Sequence, residues 1–146
     1  AADAARAGGF RGLICLDTNA VIAVINGRRP QVRERLEAAL VAGAAVGIPA
    51  VVLYELWYGI RKSARPTANA AALAAFLNLD VEQWPFAPED AEEAGEIRAE
   101  LEREGTPIGP YDVLIAAQAR RRRAVLVTAN VGEFARVPGL KVEDWG

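Results

Sequence analysis

Apolar residues follow two rhythms along this chain. Short unbroken runs, such as Leu13 to Leu16 and the start of AVLVTAN at 124–130, have the length of buried strands. Elsewhere apolar positions recur every three or four residues, the spacing of one helix face. Pro30 opens PQVRERLEAALVAG, where Val32, Leu36, Ala39 and Leu40 share a face and Gly43 is the stop. The segment AVVLYELWYGIRKS at 50–63 reads as a helix with Gly59 near its end, and PTANAAALAAFLNL at 66–79 as a proline-started one. PEDAEEAGEIRAELEREG at 88–105 is amphipathic: its first turn is acidic, Ala94, Ile97 and Leu101 line one side, and Gly105 ends it. A loop, TPIG, leads to Pro110 and the helix PYDVLIAAQARRR. AAVGIP, VEQWPF and GLKVEDW have the lengths of further short strands.

Strands alternating with helices predict an α/β domain with a mostly parallel sheet. Residues 12–146 are expected to form one domain, with no internal repeat. The opening AADAARAGGFRG has arginines and small residues but no apolar stretch of a secretory signal, so residues 1–11 read as a leader or an expression remnant. With no methionine in the sequence, residue 1 is not expected to be the translation start.

Composition narrows the chemistry. The chain has 146 residues, 52% of them apolar and 25% charged, as in ordinary globular proteins. The formal net charge of −2 argues against a purely electrostatic nucleic-acid binder. A single cysteine, Cys15, cannot close an internal disulfide, which suits a reducing, cytoplasmic setting. No apolar run reaches the roughly 20 residues of a membrane span. The absence of histidine excludes a Ser-His-Asp or Cys-His nucleophilic site, a histidine base and a histidine metal ligand. Carboxylates, hydroxyls, amides and basic side chains are left to do any catalysis.

Three carboxylates stand out by placement. Asp17 directly follows the first strand, at the carboxyl edge where open parallel sheets bind ligands. It reads equally as the N-cap of the next helix, begun by Thr18 and Asn19. Asp112 falls in the first turn behind Pro110, favoured there by the helix dipole whether or not it has a further task. Glu55 sits among Val51, Val52, Leu53, Leu56 and Trp57, where a buried charge is expensive unless paired or metal-bound; the alternative is that it faces solvent. Thr128 and Asn130 follow another strand, and Asn130 and Glu133 also fit a surface turn. Three carboxylates in one cleft repel one another, and a divalent cation relieves that repulsion. Oxygen-only ligands select Mg²⁺ or Mn²⁺, which activate water and stabilise phosphoryl charge. Hydrolysis of a phosphodiester or phosphomonoester follows as the reaction class. Asp17, Glu55 and Asp112 are then expected within a few ångströms of one another, around the metal.

Four motifs in order, LDTNAVIAV, VVLYELWYGI, GTPIGPYDVLIAAQA and LVTANVGEFARVPGLKVEDW, resemble the PIN-domain family, and more closely its VapC-type toxin ribonucleases. The resemblance spans residues 12 to 146. It implies a three-layer α/β/α sandwich and a Mg²⁺- or Mn²⁺-dependent endoribonuclease. The family's acidic positions fall on Asp17, Glu55 and Asp112, and its fourth position, often aspartate, falls on Asn130. Asn19 and Thr128 match the polar residues that support the site. The resemblance also implies a homodimer and a VapB-type antitoxin, which inserts an arginine-bearing segment into the acidic cleft. An apolar part of that partner is expected over the Trp57 region.

Arg120 to Arg123 read as a phosphate-tracking patch for RNA or, equally, as a favourable helix C-terminus. Trp57, Tyr58 and Trp84 are candidates for base stacking or for packing. Two other classes compete with the nuclease: a non-catalytic nucleic-acid- or protein-binding module on the same fold, and a phosphatase of the haloacid-dehalogenase type. The latter needs a second aspartate where this chain has Asn19.

Overall fold

In the computed structural model, which describes residues 12–146, five parallel strands form one sheet. They are β1 (Leu13–Leu16), β2 (Ala45–Pro49), β3 (Glu82–Trp84), β4 (Ala124–Val127) and β5 (Lys141–Glu143), in the order β3-β2-β1-β4-β5. The connections are α1 (Thr18–Asn26), α2 (Pro30–Val41), α3 (Ala50–Lys62), α4 (Pro66–Leu77), α5 (Pro88–Arg103), α6 (Pro110–Arg121) and the single turn α7 (Val131–Phe134). The expected leader, residues 1–11, lies outside the described residues. No helix among the described residues is long and apolar enough to cross a membrane.

The alternation of side chains along β1 explains the layering. Ile14 and Leu16 point to one face and Cys15 to the other, and all three are fully buried. Both faces of the central strand are therefore covered by helices, as all-parallel sheets require. Leu13 pairs with Ala45 on one side and with Ala124 on the other. From β1 the chain winds outward to β2 and β3, then crosses back to β4 and β5. The winding reverses between β1 and β4, and the crevice at their carboxyl ends is the place where such sheets bind ligands.

The helices form as their apolar spacing predicts. Val32 and Leu36 of α2, and Ala94, Ile97 and Leu101 of α5, are buried. Proline at the first or second helical position opens α2, α4, α5 and α6. Gly47 in β2 has a packing reason: a Cβ there would overlap the Trp84 indole of the neighbouring strand. The short α7 replaces the expected surface turn at Asn130–Glu133.

Candidate active site

Asp17 leaves β1 with extended backbone (φ −76°, ψ 167°) and is the N-cap of α1. Its Oδ1 accepts the Thr18 N–H at 2.8 Å. Its Oδ2 accepts the Thr128 hydroxyl at 2.7 Å and the Asn19 amide at 3.1 Å. Asn19 is itself held: its amide also donates to Thr128 Oγ1 at 3.2 Å, and its Oδ1 accepts the Ala129 N–H at 2.8 Å. The cap and the site are thus the same arrangement, with β1 and β4 stitched together at their carboxyl ends. Asp17 is 5% exposed, and burial pushes its carboxyl above the ordinary range. Hydrogen bonds from Thr128, Thr18 and Asn19 oppose that shift, and the charge of Glu133 adds to it.

Asp112 stands in the first turn of α6, half-buried. Burial, then the charges of Glu133 and Asp17, a hydrogen bond shared with Glu133, and the charge of Glu55 push it up to about 7. The helix dipole, expected to favour its ionised form, is outweighed by these neighbours.

Glu133 joins this group, against the reading of a surface turn. Its Oε1 accepts the Gly109 N–H at 2.8 Å, and its Oε2 accepts the Asn130 amide at 2.8 Å. Those two bonds hold it below the usual carboxylate range. A Cβ on Gly109 would stand 3.4 Å from Asp112 Oδ2 and 3.7 Å from Glu133 Oε1, so both carboxylates crowd the entrance to α6. The signal was present in the spacing Asn130-x-x-Glu133, a helix-start pattern that supplies an acid three residues after a cap. Asn130, the family's fourth position, is exposed and donates to this acid. Its own N–H donates to Thr128 Oγ1 at 3.0 Å.

Glu55 is half-buried on α3, neither sunk in the core nor free in solvent, and accepts the Thr18 hydroxyl at 2.6 Å. It also borders a groove of about 310 Å³ between α1, α3 and α4, lined by Ile22, Ile25, Leu56, Ile60 and Leu73. Trp57 does not line this groove and is 38% exposed.

Asp17, Glu55 and Asp112 lie at one edge, where the charges of Asp17 and Glu55 act on Asp112. Among the described residues no three acidic or thiol side chains are grouped tightly enough to hold a metal by themselves. Each carboxylate is instead drawn to a neutral donor or to a shared proton: Asp17 to Thr128 and Asn19, Glu55 to Thr18, Asp112 to Glu133. The donor set still fits a hard divalent cation. It consists of oxygens, its charges act on one another, and among the described residues none of the four acids is in a salt bridge. Mg²⁺ retains several waters, so it needs few direct protein ligands.

Three of the four arginines of the run form ion pairs. Arg120 pairs with Glu93 at 2.6 Å and Glu96 at 3.3 Å, and donates to Pro138 O at 3.0 Å. Arg121 and Arg122 reach Asp90 at 2.6 and 2.9 Å, and the Arg122 guanidinium lies 4.8 Å from the centre of the Trp84 ring. Arg123 is exposed. Trp84 is 6% exposed and packs rather than presenting a stacking face.

Comparison with known proteins extends these findings. Residues 14–140 match the PIN domain. The tRNA(fMet)-specific endonuclease VapC of Salmonella typhimurium is 41% identical over 130 residues, which is 89% of this chain and 96% of that protein. Its namesake from Shigella flexneri is 43% identical over 131 residues, again 89% of this chain and 96% of the relative. Among solved structures, VapBC2 from Rickettsia felis, bound to a DNA fragment from its promoter, superposes with a TM-score of 0.85 at 35% identity, covering 92% of this chain and 99% of that one. The acidic edge, the order of the motifs and a match over nearly the whole described chain place the protein in the PIN-domain family, in its VapC branch.

Proposed function

We propose that this chain is a divalent-metal-dependent endoribonuclease and the toxin of a toxin-antitoxin pair, acting in the cytoplasm. The observation that carries the reading is the convergence of Asp17, Asp112, Glu133 and Glu55 on one sheet edge without a salt bridge to any of them among the described residues. Asp17 and Asp112 would hold Mg²⁺ or Mn²⁺, with Glu55 acting directly or through water. The bound cation supplies a water of lowered pKa and neutralises phosphoryl charge.

The remaining work falls to the chain itself. Thr128 and Asn19 fix the Asp17 carboxylate, leaving it oriented rather than free to rotate. Glu133 anchors the first turn of α6 through Gly109 N–H and sets a second carboxylate beside Asp112. The Thr18 hydroxyl holds Glu55 at the start of α1. Arg120, Arg121 and Arg122 enter this reading as structural ion-pair partners rather than as RNA ligands.

Transfer RNA is the first substrate to test, because the two enteric relatives are tRNA(fMet)-specific endonucleases. An antitoxin partner is proposed on the likeness to VapBC assemblies. Its apolar segment would lie in the groove between α1, α3 and α4, with an arginine reaching Glu55 and Asp17; guanidinium geometry suits two carboxylate oxygens at once. The decisive experiment combines cleavage and growth. RNA cleavage should cease with a chelator and return with Mg²⁺ or Mn²⁺, and expression of the chain alone should arrest growth unless the partner is co-expressed. A well-folded chain that cuts no RNA in either metal would remove the enzyme and favour a non-catalytic binding module.

A further inference from the structure

One large side chain packs beside the network that holds Asp17 without belonging to it. Trp145, two residues past β5, is 6% exposed. It lines a cavity of about 10 Å³, no larger than one water needs, together with Asn19 and Ala23 of α1, Val32 of α2, and Thr128 and Ala129 just past β4. The ring thus fills the wedge between α1, α2 and the chain leaving β4. Asn19 and Thr128 come from the two sides of that wedge. Each donates to Asp17 Oδ2, and Asn19 Oδ1 accepts the Ala129 N–H. The gap between α1 and the end of β4 therefore sets where the Asp17 carboxylate points.

Trp145 is fixed at its edge and at its face. Its Nε1–H donates to Glu143 Oε1 at 3.0 Å, and the Arg35 guanidinium of α2 lies 5.2 Å from the ring centre. Arg35 also pairs with Glu143 at 3.7 Å, closing a triangle of three side chains. Glu143 O accepts the Thr128 N–H at 2.9 Å, so the residue that holds the indole also holds the backbone of the hydroxyl partner of Asp17. One residue on, Asp144 pairs with Arg29 at 3.5 Å, just ahead of α2. Both ion pairs are half-exposed and add little stability by themselves. Apolar burial alone would ask only for a side chain of the right volume. An acceptor at the ring edge and a cation over the ring face select an indole and set its angle.

We propose that Trp145 is a positioning residue for the acidic edge: its ring is the spacer that keeps Asn19 and Thr128 where together they orient the Asp17 carboxylate. The proposal rests on the ribonuclease reading, in which Asp17 holds the cation. Trp145 meets no reacting atom and acts through Asn19 and Thr128. Loss of ring volume lets α1 and the end of β4 shift against each other. The two bonds to Asp17 Oδ2 then no longer agree on one orientation, and the carboxylate turns. The loss falls on the metal, because a ligand whose supporting hydrogen bonds have loosened binds it about 10- to 100-fold more weakly.

The test reads metal affinity and backbone exchange separately from stability. In the full chain, Trp145→Leu should weaken Mg²⁺ binding by about tenfold in titration calorimetry, done well below its melting temperature. Trp145→Phe keeps a ring for Arg35 to cover and should recover most of that loss. Without metal, the Ala129 N–H, which donates to Asn19 Oδ1, should lose hydrogen-exchange protection in Trp145→Leu beyond any change at Leu126 within β4. Cleavage lost by the leucine variant should return as Mg²⁺ is raised. Should Trp145→Leu fail to fold, Arg35→Gln removes the cation and the ion pair from a half-exposed side chain without opening a cavity. It should move the Mg²⁺ affinity and the Ala129 exchange in the same direction by a smaller factor. A lowered melting temperature with unchanged Mg²⁺ affinity and uniform exchange makes Trp145 ordinary core and overturns the proposal. If the wild-type chain cleaves RNA and the variant cleaves equally well at every Mg²⁺ concentration, the positioning role alone falls. If the wild-type chain neither binds Mg²⁺ nor cleaves RNA, the ribonuclease reading falls with it.

Discussion

Two carboxylate sites in this molecule take opposite courses. Asp90, fully buried, meets Arg121, Arg122 and the Ala87 N–H. Burial works to raise its pKa, but the bonds from Arg121, Ala87 and Arg122 outweigh it and hold Asp90 below the ordinary range. At the sheet edge, Asp112 has burial of the same sense and acids for neighbours, and it rises to about 7. Burial alone therefore does not distinguish a working carboxylate from a structural one; the charge of the company it keeps does. The Asp90 cluster fastens α6 to α5, whereas the edge carboxylates leave room for a cation from outside.

The strongest way to break the comparison is to neutralise a member of each site. Asp17→Asn should lower RNA cleavage by at least on the order of a hundredfold to a thousandfold, with the fold intact by circular dichroism, since asparagine also caps helices. Asp90→Ala should do the reverse. It strands two arginines and should destabilise by ~3–5 kcal/mol in chemical denaturation, while the variant that remains folded still cleaves. If Asp90→Ala abolished cleavage at full stability, the division of roles would be lost.

Smaller changes sharpen the contrast. Thr128→Val removes the hydroxyl that Asp17 Oδ2 accepts, and should weaken Mg²⁺ binding by about 10- to 100-fold, read by titration calorimetry. Metal-free stability should depend on pH with a definite sign. Asp112 has its folded pKa raised, so its contribution is fully present below about 4, the unfolded value, and is lost as pH rises through about 7. Asp112→Asn should flatten that decline in a thermal melt series and raise the melting temperature at pH 8 more than at pH 5. Asp90, with a depressed folded pKa, contributes stability that is lost at the acid end, as pH falls through its folded value.

Much of this organisation is legible in the chain. All five strands and six of the seven helices follow from apolar spacing, prolines and glycines, because each of those signals acts within a few residues of itself. Asp17 is legible for the same reason: its place after a strand fixes where it projects. Glu133 is legible only as the acid of an Asn130-x-x-Glu133 helix start; its place in the site is not, because that depends on Gly109, 24 residues earlier, whose N–H it accepts. Nor is the pairing of the arginine run with α5, which depends on how two helices pack.

The order β3-β2-β1-β4-β5 has a consequence in time. Synthesis delivers Asp17 early, but its hydroxyl partner Thr128 sits at the end of β4, and the Thr128 N–H is held by Glu143 O of β5. A chain still emerging from the ribosome can form helices and even pair β1 with β2, yet it lacks the half of the edge that orients Asp17. On the ribonuclease reading, the site stays incomplete until β4 and β5 have been made. Its long-range, parallel pairing, slow to form by nature, leaves an interval in which an antitoxin can be waiting before the first competent site closes.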